Sequence, residues 1–375
     1  MFPKWFDSWN RDNPTNIFGP AIAVGIAGSA IFVAAMIVAW GQPWPTDSMQ
    51  TGPRGTGMHV AEFESRLDAG DPTVAGFVTS EPVVPTADSE LAVDVLEGVP
   101  PALANVTVEN YERLLTAMRA WTGIPDLLEP GNDSYQTSVA YSMIEMTQNI
   151  NQNWAAHVQA NAEVGVTCYT CHRGQPVPNN VWFNVRGSDE DGWIGVNENT
   201  RGWPAIQNRV TFTSNFTSLP TDYLQHYLLP NEEGTYNAIN VHDLASRVEN
   251  MPGDPLIQQT ERTYAFMNYF SNSLGVNCVF CHNSRAFYDP AQVTPQWSTA
   301  SLGIIMVQEQ LEQYIQPLQN VLPEERLGPI YDDVPKFACR TCHQGYQQPL
   351  NGLNVIRNWP ELAVLDGEPD YSEFE

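Results

Sequence analysis

Residues 141–174 read YSMIEMTQNINQNWAAHVQANAEVGVTCYTCHRG, and this stretch decides how the rest of the chain is read. A helical run carrying Met143, Met146 and His157 ends against Cys168-Tyr169-Thr170-Cys171-His172. The C-x-x-C-H spacing is the attachment signature of a c-type haem. Two thiols add across the porphyrin vinyl groups, and the adjoining histidine is placed to ligate iron from one side. A methionine or a second histidine completes the axial pair and sets the potential. The stretch therefore supplies one attachment site and offers a ligand, His157, for another.

The chain has 375 residues and six cysteines, which fall into the pairs Cys168/Cys171, Cys278/Cys281 and Cys339/Cys342. Each pair is followed at once by a histidine: His172, His282 and His343. A lone C-x-x-C could be a zinc half-site or a redox dithiol. Three C-x-x-C-H repeats with no cysteine left for a disulfide or a thiol nucleophile point instead to three covalent haem c groups. Such attachment takes place outside the cytoplasm, so the bulk of the chain is expected in the periplasm.

There are 43 acidic residues against 17 Lys and Arg, a net charge of −26. No basic patch of useful size exists, which argues against nucleic-acid binding. Beyond solubility, the charge supplies a field able to steer a basic partner.

Residues 1–16 form a short amphipathic segment with Trp5, Phe6 and Trp9 beside Lys4 and Arg11, and no charged residue occurs from Asn13 to Thr46. The apolar run 17–40 is long enough to cross a hydrocarbon core. Trp40 and Trp44 sit where an interfacial belt belongs, and Gly25, Gly28 and Ser29 offer a small-residue packing face. The run exceeds the apolar core of a signal peptide, so a retained single-pass anchor with a cytoplasmic N-terminus is expected. Residues 41–105, rich in Pro, Gly, Thr and acids, read as an extended arm. Residues 106–375 read as the periplasmic haem domain.

Within that domain, Thr107 is placed to cap a helix with Leu114, Met118 and Trp121 on one face. Asp133 or Ser134 opens the long helix carrying Met143 and His157. A helix from about Thr260 to Leu274 carries Met267 and stops at Gly275; another, Ser298–Ile315, ends near Pro317. The acidic loop Ser188–Gly192 lacks the alternation of an EF-hand loop, and the tail from Asp366 is expected to be loosely held. Gly165-Val-Thr-Cys-Tyr-Thr-Cys-His matches Gly275-Val-Asn-Cys-Val-Phe-Cys-His, each preceded by a Met-bearing helix. The expected fold is mainly α with much irregular loop: a multihaem cytochrome c of repeated helix–turn–C-x-x-C-H units plus one N-terminal transmembrane helix.

His172, His282 and His343 are the proximal ligands. Of the other four histidines, His59, His226 and His242 lie in the arm or in irregular loops, and His157 stands on a helix. Met267 precedes Cys278 with no competing methionine nearby. Met143 and Met146 share a helix face, and the residues alone leave that choice open. A methionine on an amphipathic helix is ordinarily core filling, but three irons need sixth ligands. Over a continuous helix, Met143 and His157 would lie about 20 Å apart, which suits two different haems. The Cys339 haem has no methionine on its leading helix except Met306, far upstream, so His157 is its natural candidate.

The segments NWAAHV…GVTCYTCHRGQPVP, SLGVNCVFCHN and CRTCHQG…PL, with TPQW…MVQEQL, resemble the photosynthetic reaction-centre cytochrome c subunit of purple bacteria over about residues 105–365. The resemblance implies an electron carrier and not an enzyme, with six-coordinate irons. Met143 (favoured over Met146) would serve the Cys168 haem, Met267 the Cys278 haem, and His157 would cross to the Cys339 haem. It implies a place in the photosynthetic inner membrane beside L- and M-type subunits, with light-harvesting antenna as a further neighbour. A soluble c-type cytochrome or a high-potential iron–sulfur protein would be the donor. The Cys278 haem would lie nearest the bacteriochlorophyll pair, and the Cys168 haem would receive electrons.

Two departures matter. The usual family member carries four haems, with an extra motif upstream; here that region reads RLLTAMRAWTGIPDLLEPGND, without cysteine, and Leu115 stands where the ligand methionine would. Many members are lipidated at a cysteine, and no cysteine precedes Cys168, so the anchor falls to helix 17–40. Multihaem nitrite reductases and peroxidases need an open iron position, which three plausible sixth ligands argue against. A membrane-anchored cytochrome feeding a periplasmic reductase would share the helix and the haems; only the resemblance separates it.

Overall fold

The computed structural model describes residues 4–12, 18–39, 47–50, 59–62, 80–132, 134–160, 163–185, 196–197, 200–201, 219–239, 256–287 and 289–374. These fall into two compact units, one holding the two N-terminal helices and the other every described residue from Ser80 onward. In the first unit, α1 (Lys4–Asp12) leaves Trp5 and Trp9 exposed. α2 (Phe18–Ala39) has 22 residues and no charge. It rises about 33 Å, enough for a hydrocarbon core of about 30 Å. Among the described residues it is the one helix long and apolar enough to cross a membrane, and its side chains from Ala21 to Val38 are not covered by protein. Trp40 and Trp44 lie outside the described residues. A two-stranded ribbon pairs Asp47–Gln50 with His59–Glu62.

The second unit is built on α3 (Val108–Thr122), α4 (Tyr135–Asn153), α5 (Leu256–Leu274) and α6 (Pro295–Gln310). Leu114, Ala117, Met118 and Trp121 recur at helical spacing on α3 and are all buried. They pack with Leu103 and Trp359 in one apolar core, where Trp121 and Trp359 meet edge to face at 4.9 Å. A second core joins Ile150 of α4, Phe266 and Tyr269 of α5, and Val307 of α6 to Tyr223 and Tyr227. The Tyr227 and Phe266 rings stack there at 5.1 Å. α6 gives way to a π-turn at Leu311–Ile315 and then a 3-10 turn containing Pro317, whose missing N–H cannot continue the α ladder.

From Ser80 the arm is laid over α3. The buried Asn110 amide donates to the Val83 carbonyl and its oxygen accepts the Val83 N–H, at 2.8 and 2.9 Å. Arg113 donates to the Ser80 carbonyl and forms a buried ion pair with Glu361 at 2.8 Å. Burial pushes the Glu361 carboxyl up, while Arg113 pulls it down.

Two expectations are corrected. The helix of Met143 does not run on to His157: it ends at Asn153, Trp154 takes φ −114° and ψ 22°, and a separate turn Ala155–Val158 carries His157. The Trp154 indole donates to Glu309 of α6 at 3.3 Å, a tertiary contact that accompanies the break. The tail is not loose either. Tyr371 is buried with its hydroxyl on Glu361, and Arg357 pairs with Glu373. The irregular region after Gly174 includes a short helix, Tyr223–Leu228, and a minimal ribbon, Val196–Asn197 with Thr200–Arg201. The acidic loop 188–192 lies outside the described residues.

Candidate haem centres

Cys168–His172 and Cys339–His343 each fold as one helical turn, for a shared reason. The threonine before the second cysteine reaches back: Thr170 Oγ1 accepts the Thr167 N–H at 3.1 Å, and Thr341 Oγ1 accepts the Ala338 N–H at 3.0 Å. This is the reciprocal half of a capping box. Both turns leave through left-handed residues, Arg173 and Gln344, followed by Gly174 and Gly345. The third motif has Phe280 at the threonine position and forms a 3-10 turn, Cys278–Phe280, instead.

The two helical motifs are gripped in the same way. Gly174 donates to the Trp121 carbonyl at the end of α3, and Gly345 donates to the Ser273 carbonyl at the end of α5, both at 2.8 Å. The caps of those helices, Gly123 and Gly275, are left-handed, and a Cβ there would sit 2.3 and 2.2 Å from the Gly174 and Gly345 carbonyl oxygens. Only glycine allows this approach. The sequence repeat aligned Gly275 with Gly165, but Gly165 faces Ile356, and the spatial counterpart of Gly275 is Gly123. In that alignment Leu115 matches Met267, and Asp126, Glu129 and Pro130 match Cys278, Cys281 and His282. Leu127 and Leu128 of that segment are buried in the α3 core.

Four histidines share one hydrogen-bond pattern. Nδ1 faces a backbone carbonyl in His172 (Gln175, 2.9 Å), His282 (Phe287, 3.1 Å), His343 (Tyr346, 3.0 Å) and His157 (Thr299, 2.9 Å). An Nδ1 that donates to a carbonyl leaves Nε2 as the lone-pair nitrogen for a metal. Burial lowers the basicity of all four imidazoles and favours this neutral form. His343 is pushed down to about 4 by burial first and by His157 second.

The His157 and His343 rings lie edge to face, with centres 6.3 Å apart and planes at 67°. A single metal ion bound from both sides asks for roughly 6 Å, from ~2 Å bonds and ~1 Å from each nitrogen to its ring centre. The two rings line a cleft that also contains Phe280 and Cys281 of the other motif. These residues fit an iron held between two imidazoles.

Met143, Met146 and Met267 are half-buried and pack against the aromatic core, so burial does not separate Met143 from Met146. Met306 is buried in that core. His226 packs edge-on to Tyr227, with the Asn237 amide against its ring. His59 lies on the first ribbon, and His242 lies outside the described residues.

Cys171 and Cys342, with Cα atoms 4.6 Å apart, bring their sulfurs into bonding contact. The sequence expectation left no cysteine for a disulfide; this contact takes one from each of two motifs. Cys168, Cys278, Cys281 and Cys339 are single thiols. Burial pushes the Cys168 and Cys339 thiols up to about 12 and Cys281 up to about 11. The carbonyls of Gln175, Phe287, Tyr346 and Thr299 were not foreseen, because a backbone oxygen carries no signal in the sequence. The two capping threonines were visible in C-x-T-C-H.

The sequence pattern of the photosynthetic reaction centre cytochrome c subunit family matches residues 41–363. The photosynthetic reaction center cytochrome c subunit of Roseobacter denitrificans is 55% identical over 98% of this chain and 99% of its own length. The protein of the same name from Rubrivivax gelatinosus is 33% identical over 91% of this chain and 90% of its own length. That from Thermochromatium tepidum is 34% identical over 89% and 79% respectively. With the family pattern matched over residues 41–363 and near full-length similarity to a member, the chain belongs to the photosynthetic reaction-centre cytochrome c subunit family.

Proposed function

We propose that this electron-transfer subunit of the photosynthetic reaction centre holds three haem c groups, at Cys168/Cys171, Cys278/Cys281 and Cys339/Cys342. It links a soluble periplasmic donor to the photo-oxidised bacteriochlorophyll pair. When bound, haem supplies reversible one-electron exchange at iron; the residues attach it, ligate it and set its potential. His172, His282 and His343 are the proximal ligands, with Met143, Met267 and His157 as their respective partners, so that every iron is six-coordinate. The observation that carries this reading is the His157 ring 6.3 Å from the His343 ring, with Nδ1 of each ring engaged by a carbonyl. Thioether ligation favours ferrous iron, so the sites with Met143 and Met267 take higher potentials than the bis-imidazole site.

The order of the sites follows from which motifs adjoin. Cys171 lies against Cys342, and Cys281 shares a cleft with His157 and His343. This supports a relay from the Cys168 site through the Cys339 site to the Cys278 site. Each motif needs both of its thiols for attachment, so we read the Cys171–Cys342 contact as adjacency of two sites. The subunit is membrane-associated; α2 crosses once, leaving α1 cytoplasmic and the haem domain periplasmic. L- and M-type subunits and antenna are its membrane neighbours. The net charge of −26 favours a basic soluble cytochrome as donor, while a high-potential iron–sulfur protein would dock through apolar contacts.

Haem stoichiometry and a redox titration of the purified subunit test this. Three haems per chain are expected, two in a high-potential group and one distinctly lower. A different count, or three indistinguishable potentials, overturns it.

A further inference from the structure

We infer that Gly303 is a positioning residue for His157, holding the imidazole in its seat through the absence of its own side chain. This rests on the reading of His157 as an axial ligand. Gly303 lies inside α6 and is buried. Its φ is not in the left-handed region, so the backbone does not demand glycine there. Glycine is also a poor helix former, and alanine would serve the helix better. What excludes alanine is space. A Cβ on residue 303 would lie 2.4 Å from His157 Cε1 and 2.9 Å from both ring nitrogens. The edge that presents Nε2 to the metal therefore rests directly on the α6 backbone.

The ring has little freedom to yield. One helical turn earlier on α6, the Thr299 carbonyl accepts its Nδ1–H at 2.9 Å. Across the cleft lies His343. Below it, Trp154 is tied to Glu309 of the same helix at 3.3 Å. A methyl group at 303 can be accommodated only by releasing the Thr299 bond or shifting the ring relative to His343. α6 thus holds the ring by a carbonyl at 299 and by a gap at 303.

The test compares Gly303→Ala, His157→Ala and the double variant in the full haem-loaded chain. It reads haem content, the spin state of each ferric haem by electron paramagnetic resonance, and the individual potentials. Gly303→Ala is expected to move one haem out of its low-spin signal, or to shift its potential, and to leave the other two unchanged. Removing the imidazole removes the three atoms nearest a Cβ at 303, so the double variant should match His157→Ala in every readout. If Gly303→Ala alone fails to accumulate, recovery of a loaded chain by the double variant supports the steric account, and failure of both overturns it. Wild-type signals in Gly303→Ala also overturn it, as does a double variant that departs from His157→Ala. If His157→Ala itself leaves all three haems unchanged, the ligand assignment falls, which is a separate result.

Discussion

Substituting Gly275 by alanine probes how the Cys339 motif is held. Three costs add. A non-glycine residue in the left-handed region loses about 1–2 kcal/mol. The new Cβ would overlap the Gly345 carbonyl oxygen, 2.2 Å away, and relieving overpacking of this kind typically costs about 1–3 kcal/mol. The relief moves the 345 peptide and strains the Gly345-to-Ser273 hydrogen bond of 2.8 Å, worth about 1 kcal/mol. The total is about 4 kcal/mol. Gly234 is the control: it is also left-handed (φ 75°), but nothing lies within 4 Å of a Cβ there, so Gly234→Ala should cost only about 1–2 kcal/mol. At ~2–4 °C per kcal/mol, the thermal midpoint should fall by roughly 8–16 °C for Gly275→Ala and by roughly 2–8 °C for the control. Visible-region circular dichroism of the haem-loaded chain, scanned at one fixed rate because unfolding of such proteins is often irreversible, reads both. If the two locks are equivalent, Gly123→Ala should match Gly275→Ala. Equal shifts for Gly275→Ala and Gly234→Ala would refute the reasoning, since conformation would then account for everything and the carbonyl contact for nothing.

Other outcomes follow from the ligand assignments and the charge. His157→Met should raise the potential of one haem only, and a rise in two would mean that the crossing ligand is misassigned. Met267→Ala should change the reduced spectrum of one haem and slow re-reduction of the flash-oxidised bacteriochlorophyll pair, whereas unchanged kinetics would remove the Cys278 site from the position next to that pair. Raising ionic strength shortens the reach of the acidic surface, to about 8 Å at 0.15 M. Reduction by a basic cytochrome should slow accordingly, and a salt-independent rate would point to apolar docking.

Much of this was legible in the residues. C-x-x-C-H names its own chemistry, an uncharged run such as 17–40 has few places to go, and Gly275 ends α5 as its position suggests. What escaped depends on neighbours distant in sequence. The helical pattern continues through Asn153-Trp154-Ala155, and the turn there is tied to the tertiary contact between Trp154 and Glu309. Similarity of sequence paired the Cys168 motif with the Cys278 motif, yet the turn threonines and glycine locks pair it in space with the Cys339 motif. The acidic tail looked loose because Tyr371 gives no hint, in one dimension, of a buried Glu361 waiting for its hydroxyl.

The glycine locks also divide labour between helices. α5 has two tasks: in the proposed assignment it offers Met267 to the Cys278 haem, and with its last turn it clasps the loop after Cys342. α3 has the clasp on the loop after Cys171, and in the same proposed assignment carries Leu115 where α5 carries Met267. The two tasks are therefore separable. Under the three-haem proposal, a lineage can shed a redox centre while keeping the helix that housed it, because that helix still braces the next centre along. The number of haems in such a scaffold can drift without the architecture following it.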